Sequence, residues 1–169
     1  MTNAAKDVLS GPCPIGRAAG VLGDKWMLLI MRNALIGETR FDQFRESLGI
    51  ADNILSNRLV RLVGWKLLVK VPYTEGNRTR QEYALTPAGA ALRPVLLALG
   101  VWGHEYVNPD EPTSAVLAVH ITCGQVSRDA EFCETCQIPF GEGEVAWVMP
   151  WLSESPVPLA TAVIVAQSS

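Results

Sequence analysis

The chain has 169 residues, of which 49% are hydrophobic and 18% are charged. This length suits one domain with at most a small addition, and this apolar content excludes a wholly disordered chain. The apolar stretch over residues 159–166 is far shorter than the roughly 20 residues that span a bilayer, and the N-terminus lacks the pattern of a secretory signal. We therefore expect a soluble, cytoplasmic protein with no membrane partner.

The net charge of −3 hides an asymmetry along the chain. Residues 11–107 contain 12 Lys and Arg against 8 Asp and Glu, a net charge of +4, whereas residues 108–169 contain one Arg against 8 acids, a net charge of −7. The charges thus predict a basic module over 11–107 and an acidic extension over 108–169. The sign of the first part permits nucleic-acid binding without requiring it.

Capping residues and apolar residues at helical spacing predict four helices, over residues 14–22, 26–36, 41–48 and 52–64. A turn at Gly49 separates the short third helix from the fourth, and Ile50 is expected to fill the corner between them. In the fourth helix Leu55, Leu59 and Leu62 form an apolar stripe, and the opposite face is polar. A short helix, a glycine turn and a half-polar second helix are typical of a helix-turn-helix.

The segments 67–73 and 81–85 are β-prone and flank the polar loop 74–80 (TEGNRTR), which predicts a hairpin directly after the helix-turn-helix, as in a winged helix. Thr86 and Pro87 then begin a long apolar helix over residues 88–106, in which Pro94 favours a kink. The apolar stripe of this helix consists of Leu92, Val95, Leu96, Leu99 and Trp102. This stripe packs either within its own domain or against a second copy, and the homodimer is the favoured alternative.

The remaining residues predict a small cysteine-containing, β-rich extension. Residues 108–114 (NPDEPTS) are a linker by composition, and two short apolar segments over 115–121 and 144–149 enclose three cysteines. From Ser153 onward the chain is rich in Pro, Ser and Ala, and we expect a loosely held, flexible tail. The predicted fold class is therefore α+β, a winged helix with a C-terminal dimerisation helix and this extension.

Three stretches of this sequence resemble the HxlR-type winged-helix regulators, which are relatives of the MarR group. They are CPIGRAAGVLGDKW, RFDQFRESLGIADNILSNRL and QEYALTPAG followed by LRPVLLALGVW, in the family's order over more than half of the chain. The resemblance implies a dimeric DNA-binding regulator, often a repressor of adjacent genes, with the N-terminal helix joining the dimer interface.

The predicted DNA contacts lie on the fourth helix and on the wing, since base edges are read by side chains that donate and accept hydrogen bonds. Arg58 borders the leucine stripe, where it either reaches a phosphate or supports the helix. Lys25 is a weaker phosphate candidate near the second helix's N-terminus. The full candidate set is Lys25, Asn53, Ser56, Asn57, Arg58, Arg61, Arg78, Thr79 and Arg80.

His120, Cys123, Cys133 and Cys136 form the pattern H-x2-C-x9-C-x2-C. Two such pairs can close on one tetrahedral ion, because Zn²⁺ accepts three thiolates and one imidazole, so a structural zinc site is predicted. A redox-active cysteine pair and simple buried or free thiols are the alternatives. The chain has two histidines and none of the common hydrolase, zinc-protease, deaminase or nucleotide-binding motifs, so we expect no enzyme activity.

Cys13 precedes Pro14 at a helix start, where backbone N–H groups can stabilise a thiolate and promote its reactivity. In several members of the resembling family a cysteine at this position senses oxidants or electrophiles. A small buried core residue is the slightly favoured alternative. A small-molecule effector between the first, second and last helices, in a pocket lined by Trp26 and Trp102, is the competing signal.

We therefore expect a sequence-specific, homodimeric regulator of transcription that binds a double-stranded DNA operator, more often a repressor than an activator, and that responds to a small molecule or a redox signal. The alternative is a protein-interaction module that uses the winged-helix shape without binding DNA and presents its acidic, cysteine-bearing extension to a partner.

Overall fold

The computed structural model describes residues 11–107 and 115–164. Six helices and two strands lie in the first range: α1 (Pro14–Leu22), α2 (Lys25–Leu35), α3 (Phe41–Leu48), α4 (Asp52–Gly64), β1 (Leu68–Glu75), β2 (Arg78–Leu85), α5 (Pro87–Ala90) and α6 (Arg93–Tyr106). Six strands lie in the second: β3 (Leu117–His120), β4 (Val126–Ser127), β5 (Phe132–Cys133), β6 (Ile138–Pro139), β7 (Val145–Val148) and β8 (Val157–Pro158). None of the helices in these ranges is long and apolar enough to cross a bilayer.

The helix-turn-helix forms as predicted. Gly49 ends α3 with φ 58°, a left-handed conformation that glycine adopts without strain, and Ile50 is buried in the corner that follows. Leu55, Leu59 and Leu62 of α4 are fully buried, which fixes the polar side of α4 outward. The predicted winged-helix class of fold is confirmed.

The wing is longer than predicted. Strands β1 and β2 pair antiparallel from Leu68 opposite Leu85 to Glu75 opposite Arg78, so that only Gly76 and Asn77 form the turn. The expected seven-residue loop is therefore wrong, because the threonines within it pair across the hairpin as Thr74 and Thr79 instead of remaining irregular.

The last helix of the winged-helix part is broken. The prediction of one helix over residues 88–106 is wrong, since α5 ends at Ala90 and α6 begins at Arg93. Pro94 lacks an N–H, and its ring would clash with the carbonyl of Ala90 in a continuous helix, so the expected kink becomes a break.

The extension forms a four-stranded antiparallel sheet in the order β4-β3-β7-β8 and a separate β5–β6 hairpin. Its last described residues return to the winged helix: Ala160 N–H donates to the Leu35 carbonyl over 2.7 Å, and Val163 N–H donates to the Leu85 carbonyl over 2.9 Å. The expectation of a loose tail from Ser153 is therefore wrong through residue 164. The predicted linker over 108–114 and the rest of the tail, residues 165–169, lie outside the described residues.

An ion pair fixes α4 to the start of α2. Asp24 caps α2 by accepting from Trp26 N–H over 2.9 Å, and its second carboxylate oxygen accepts from the Arg58 guanidinium over 2.7 Å. The hydrogen bond from Arg58 lowers the pKa of the Asp24 carboxyl below its ordinary value. Because the native pKa is depressed, the pair stabilises the fold above pH about 4, and this contribution is lost as pH falls through the depressed value.

Replacing Asp24 by Asn should keep the helix cap, since Asn caps as well as Asp, and should remove the charge that holds Arg58. We expect Asp24→Asn to lower the melting temperature at pH 7, and the variant and wild-type curves to converge below pH about 4. Circular dichroism melts across pH measure this. Asp42→Asn is the matched control, because Asp42 pairs with Arg45 at an exposed site and its loss should matter little. Equal melting temperatures for wild type and Asp24→Asn at pH 7 would contradict the role of the pair.

Candidate functional site

The outer face of α4 presents three of the predicted groove contacts. Asn53, Ser56 and Asn57 are all exposed, whereas Arg61 is half-buried near the end of the helix. Part of this face is already engaged locally, because the Asn53 Oδ1 atom accepts from the Ile54 N–H over 2.9 Å. The amide of Asn57 keeps its donor nitrogen available, so this face combines donors and acceptors on a helix whose other side is buried.

Arg58 was predicted either to reach a DNA phosphate or to support α4. In the structure its side chain is bound within the protein, as expected for the supporting role. Its guanidinium binds Asp24, as described above, and also donates to the Asn57 Oδ1 atom over 3.3 Å. Asp24 also caps α2, as described above. Its pairing with Arg58 joins residues 34 positions apart, and no local pattern indicates such a contact.

The wing cations lie on a strand and not on a loop. Arg78, Thr79 and Arg80 are exposed on β2, and Arg80 pairs with Glu75 over 3.3 Å. Within the described part of the chain Arg78 makes no ion pair, so its charge is available at the tip. Arg40 reaches the same carboxylate of Glu75 over 3.6 Å and is a wing-side cation that the sequence reading missed.

The base of the wing is tied to the turn before α3. Tyr83 N–H donates to the Thr39 carbonyl over 2.7 Å, and the Thr39 hydroxyl donates to Glu82 over 2.9 Å. These bonds hold the hairpin beside the helix-turn-helix. Lys25 is exposed at the start of α2, but its ammonium lies 4.9 Å from the centre of the Trp26 ring.

Helix α6 exposes an apolar stripe. Val95, Leu99, Trp102 and Tyr106 follow helical spacing, with exposed fractions of 50%, 45%, 55% and 64%. On the inward side of α6 Leu97 is fully buried, although it was not part of the predicted stripe. The exposed stripe keeps Val95, Leu99 and Trp102 of the prediction and gains Tyr106, whose ring lies 6.1 Å from that of Trp102. Leu92 and Leu96, which were predicted to belong to it, are partly buried and pack against the core instead.

Cys13 is exposed at the N-cap of α1, and its sulfur accepts from Gly16 N–H over 3.4 Å. The expectation of a buried core cysteine is therefore wrong.

A cavity of about 280 Å³ lies between α2, α6 and the extension, where Leu28, Arg32, Leu99, Trp147 and Trp151 are among its lining residues. The predicted pocket residues Trp26 and Trp102 do not line this cavity.

The four predicted metal ligands converge. The donor atoms of His120, Cys123, Cys133 and Cys136 all lie within 4.8 Å of one another. The His120 Nδ1 atom is 3.3 Å from the Cys123 sulfur, which in turn is 3.7 Å from the Cys133 sulfur. His120 thus faces the cysteines, and these four residues could hold a metal ion.

The thiols of this cluster differ in acidity. Burial acts to raise the pKa of the Cys133 thiol, but the Cys136 N–H and the neighbouring thiols outweigh it and lower that pKa to about 7. Hydrogen bonding to Cys123 and then to Cys133 raises the pKa of Cys136 to about 12.

Comparison with known proteins identifies the family. The HxlR-like helix-turn-helix profile matches residues 21–111. The chain is 39% identical over 123 residues to the helix-turn-helix-type transcriptional regulator MT3179 of Mycobacterium tuberculosis, covering 72% of this chain and 76% of that protein. It is 32% identical over 99 residues to the regulator YvaP of Bacillus subtilis, and the match covers 57% of this chain and 91% of YvaP.

Solved structures agree with this assignment. PA1607, described as a candidate transcription factor, has 40% identity and a TM-score of 0.63, covering 78% of this chain and 90% of its own. The reduced form of the redox regulator HypR has 26% identity and a TM-score of 0.52, and the match covers 59% of this chain and 98% of the HypR chain. These proteins are regulators of transcription and not enzymes. With its helix-turn-helix, its wing and this match, the chain belongs to the HxlR family of helix-turn-helix transcriptional regulators.

Proposed function

We propose that this chain is a homodimeric, sequence-specific repressor that reads a double-stranded DNA operator in the cytoplasm. The observation that carries the proposal is the division of α4 into a fully buried leucine side and an exposed side with Asn53, Ser56 and Asn57. The major groove admits an α-helix, and asparagine suits adenine as arginine suits guanine. Arg61 lies one turn beyond Asn57 on the same side and completes the reading set.

The wing supplies the contacts that do not depend on sequence. Arg78 at the tip of β2 is exposed and without an ion pair in the described ranges, so it can reach a phosphate or a narrow minor groove. Arg80 shares Glu75 with Arg40, which gives this edge two cations for one carboxylate.

The exposed stripe of α6 supports a homodimer. Four large apolar side chains in a row on one helix are unfavourable in water, and a second copy of the same stripe would cover them. Ile15 on α1 is 79% exposed, so the N-terminal helix also presents a large apolar side chain to solvent. A twofold pair also presents two α4 helices, which read enough base pairs for a specific site. Repression follows as the simpler mode, because it requires only that the dimer occupy a promoter.

The signal that releases DNA enters through Cys13. Its thiol is exposed, and it caps α1, the helix proposed to join the dimer interface. The structural neighbour HypR is described as a redox regulator, which supports this reading. The competing input is a small molecule in the cavity beside Arg32, where burial lowers the pKa of the guanidinium and the Trp147 indole N–H has no acceptor among the described residues.

Arg61→Ala should weaken binding to the protein's own promoter region by roughly 5- to 150-fold, the range expected for one lost base contact. Arg78→Ala should weaken binding to all sequences alike and reduce the slope of log affinity against log salt by about 1. Gel shifts with promoter and unrelated DNA at two salt concentrations measure both effects.

Arg128→Ala is the matched control for these variants, because Arg128 is an exposed arginine of the extension and its loss should leave affinity unchanged. If the wild-type protein binds no DNA even at low salt, the proposal fails, and the chain is better described as a protein-interaction module.

Alkylation with N-ethylmaleimide, in which the thiolate of Cys13 adds across the maleimide double bond, should lower operator affinity of the wild type and not of Cys13→Ser. The comparison isolates Cys13, because the three cysteines of the extension are present in both proteins. Gel shifts before and after treatment, with mass spectrometry to locate the adduct, measure this. If the wild type keeps its operator affinity after Cys13 is modified, Cys13 is not the sensor, and a small molecule in the cavity beside Arg32 becomes the favoured signal.

A further inference from the structure

The two halves of the His–Cys cluster lie on matching turns. The first turn joins β3 to β4 and contains His120 and Cys123, while the second joins β5 to β6 and contains Cys133 and Cys136. In the first, Gly124 N–H donates to the His120 carbonyl over 2.8 Å, and in the second, Gln137 N–H donates to the Cys133 carbonyl over 2.8 Å. The turns are thus built alike, although their sequences differ.

Both turns end on a left-handed residue. Gly124 has φ 70° and Gln137 has φ 59°. For glycine this conformation is unstrained, but for glutamine it is strained, because the Cβ atom lies too close to the following carbonyl oxygen. A strained turn persists only where its surroundings hold it, and the hairpin of β5 and β6 is too short to do so by itself.

The distances suit a tetrahedral ion. With metal–sulfur bonds of about 2.3 Å and metal–nitrogen bonds of about 2.1 Å, the ligand atoms of a tetrahedral zinc site lie about 3.6–3.8 Å apart. The Cys123 and Cys133 sulfurs are 3.7 Å apart, within this range, and the His120 Nδ1 atom is 3.3 Å from the Cys123 sulfur, just below it. A disulfide would require about 2.05 Å, so these two sulfurs are not bonded to each other, and all four donor atoms lie within 4.8 Å of one another.

The histidine has the surroundings of a metal ligand. His120 is fully buried, its Nδ1 atom faces the sulfurs, and its Nε2 atom has no hydrogen-bond partner among the described residues. That Nε2 atom lies 3.7 Å from a Glu144 carboxylate oxygen, which Gly141 N–H fixes over 2.8 Å. Ligating histidines commonly direct the second ring N–H at a carboxylate, which fixes the tautomer.

We propose that one zinc ion binds His120 through Nδ1 and Cys123, Cys133 and Cys136 through their sulfurs, as a closed structural site. Three thiolates and one imidazole fill the four positions that zinc prefers and leave none open for a substrate. Glu144 is the positioning residue of the site, acting through His120. Zinc binding needs no DNA and no effector, so this proposal stands or falls separately from the proposed repressor function.

The ion holds the extension in the form that docks on the winged helix. Cys133 and Phe140 belong to the same buried cluster as Leu35 and Leu85, the residues whose carbonyls accept from Ala160 and Val163. Removal of zinc should therefore increase hydrogen exchange at the Ala160 and Val163 amides, where docking protects them.

Metal analysis of the full chain purified under reducing conditions tests the proposal. We expect one zinc per chain, and a loss of most of it in Cys133→Ser and Cys136→Ser. Cys13→Ser is the matched control and should keep one zinc, because Cys13 lies on α1 and outside the cluster. Glu144→Gln should weaken zinc affinity about 10- to 100-fold, as for other residues that orient a ligating histidine.

Cobalt substitution keeps the test decisive where a serine variant fails to fold. Chelated wild-type protein titrated with Co²⁺ should develop the intense visible absorption of a tetrahedral ion and a thiolate charge-transfer band, and Cys13→Ser should match it. Wild-type protein that holds no zinc and gives no tetrahedral cobalt spectrum would overturn the proposal, as would equal zinc content in Cys136→Ser and wild type.

Discussion

The position of α4 depends on how its leucines pack beneath it. Leu55, Leu59 and Leu62 are fully buried, and each buried leucine contributes about 1.5–3 kcal/mol relative to an exposed one. Rotation of the helix about its axis would expose these leucines to water and bury the amide of Asn57 without a hydrogen-bond partner. Both changes cost free energy, so the helix stays in this orientation. The outward direction of the reading side chains therefore follows from the core and needs no contribution from DNA.

Helix α2 is the common support for the parts around it. Asp24, the residue before its first turn, binds Arg58 of α4, and its last residue, Leu35, accepts the hydrogen bond from Ala160 of the extension. Between these ends, the buried Asn33 amide donates to Glu38 over 3.0 Å and to the Ser47 hydroxyl of α3 over 2.8 Å. The cavity beside Arg32 opens on the same helix. The extension and the cavity therefore both contact the helix that positions α4.

Local chemistry explains what the sequence could predict. The bounds of α3 and α4 were correct because Gly49 and the leucine spacing are encoded within a few residues of each other. The convergence of His120, Cys123, Cys133 and Cys136 could be predicted for the same reason, since each half of the pattern occupies a single turn.

What could not be predicted depends on contacts between distant residues. Polar threonines favour a loop by composition, and only the register of Thr74 with Thr79 shows that the strands continue. The segment after Ser153 contains no apolar period, yet Leu159 is buried and its neighbours bond to Leu35 and Leu85. The partner of Arg58 lies 34 residues away, and the partner of His120 lies 24 residues away, so neither leaves a local pattern.

The acidity of the extension need not oppose DNA binding. Asp129 accepts from Glu131 N–H over 2.8 Å and Glu144 accepts from Gly141 N–H over 2.8 Å, so part of the charge serves to build turns. The extension bonds to the last residue of α2 and, through Val163, to the last residue of β2. Residues 11–107, which include α4 and the wing, carry a net charge of +4, so the net charge of −3 for the whole chain is a poor guide to what this face binds.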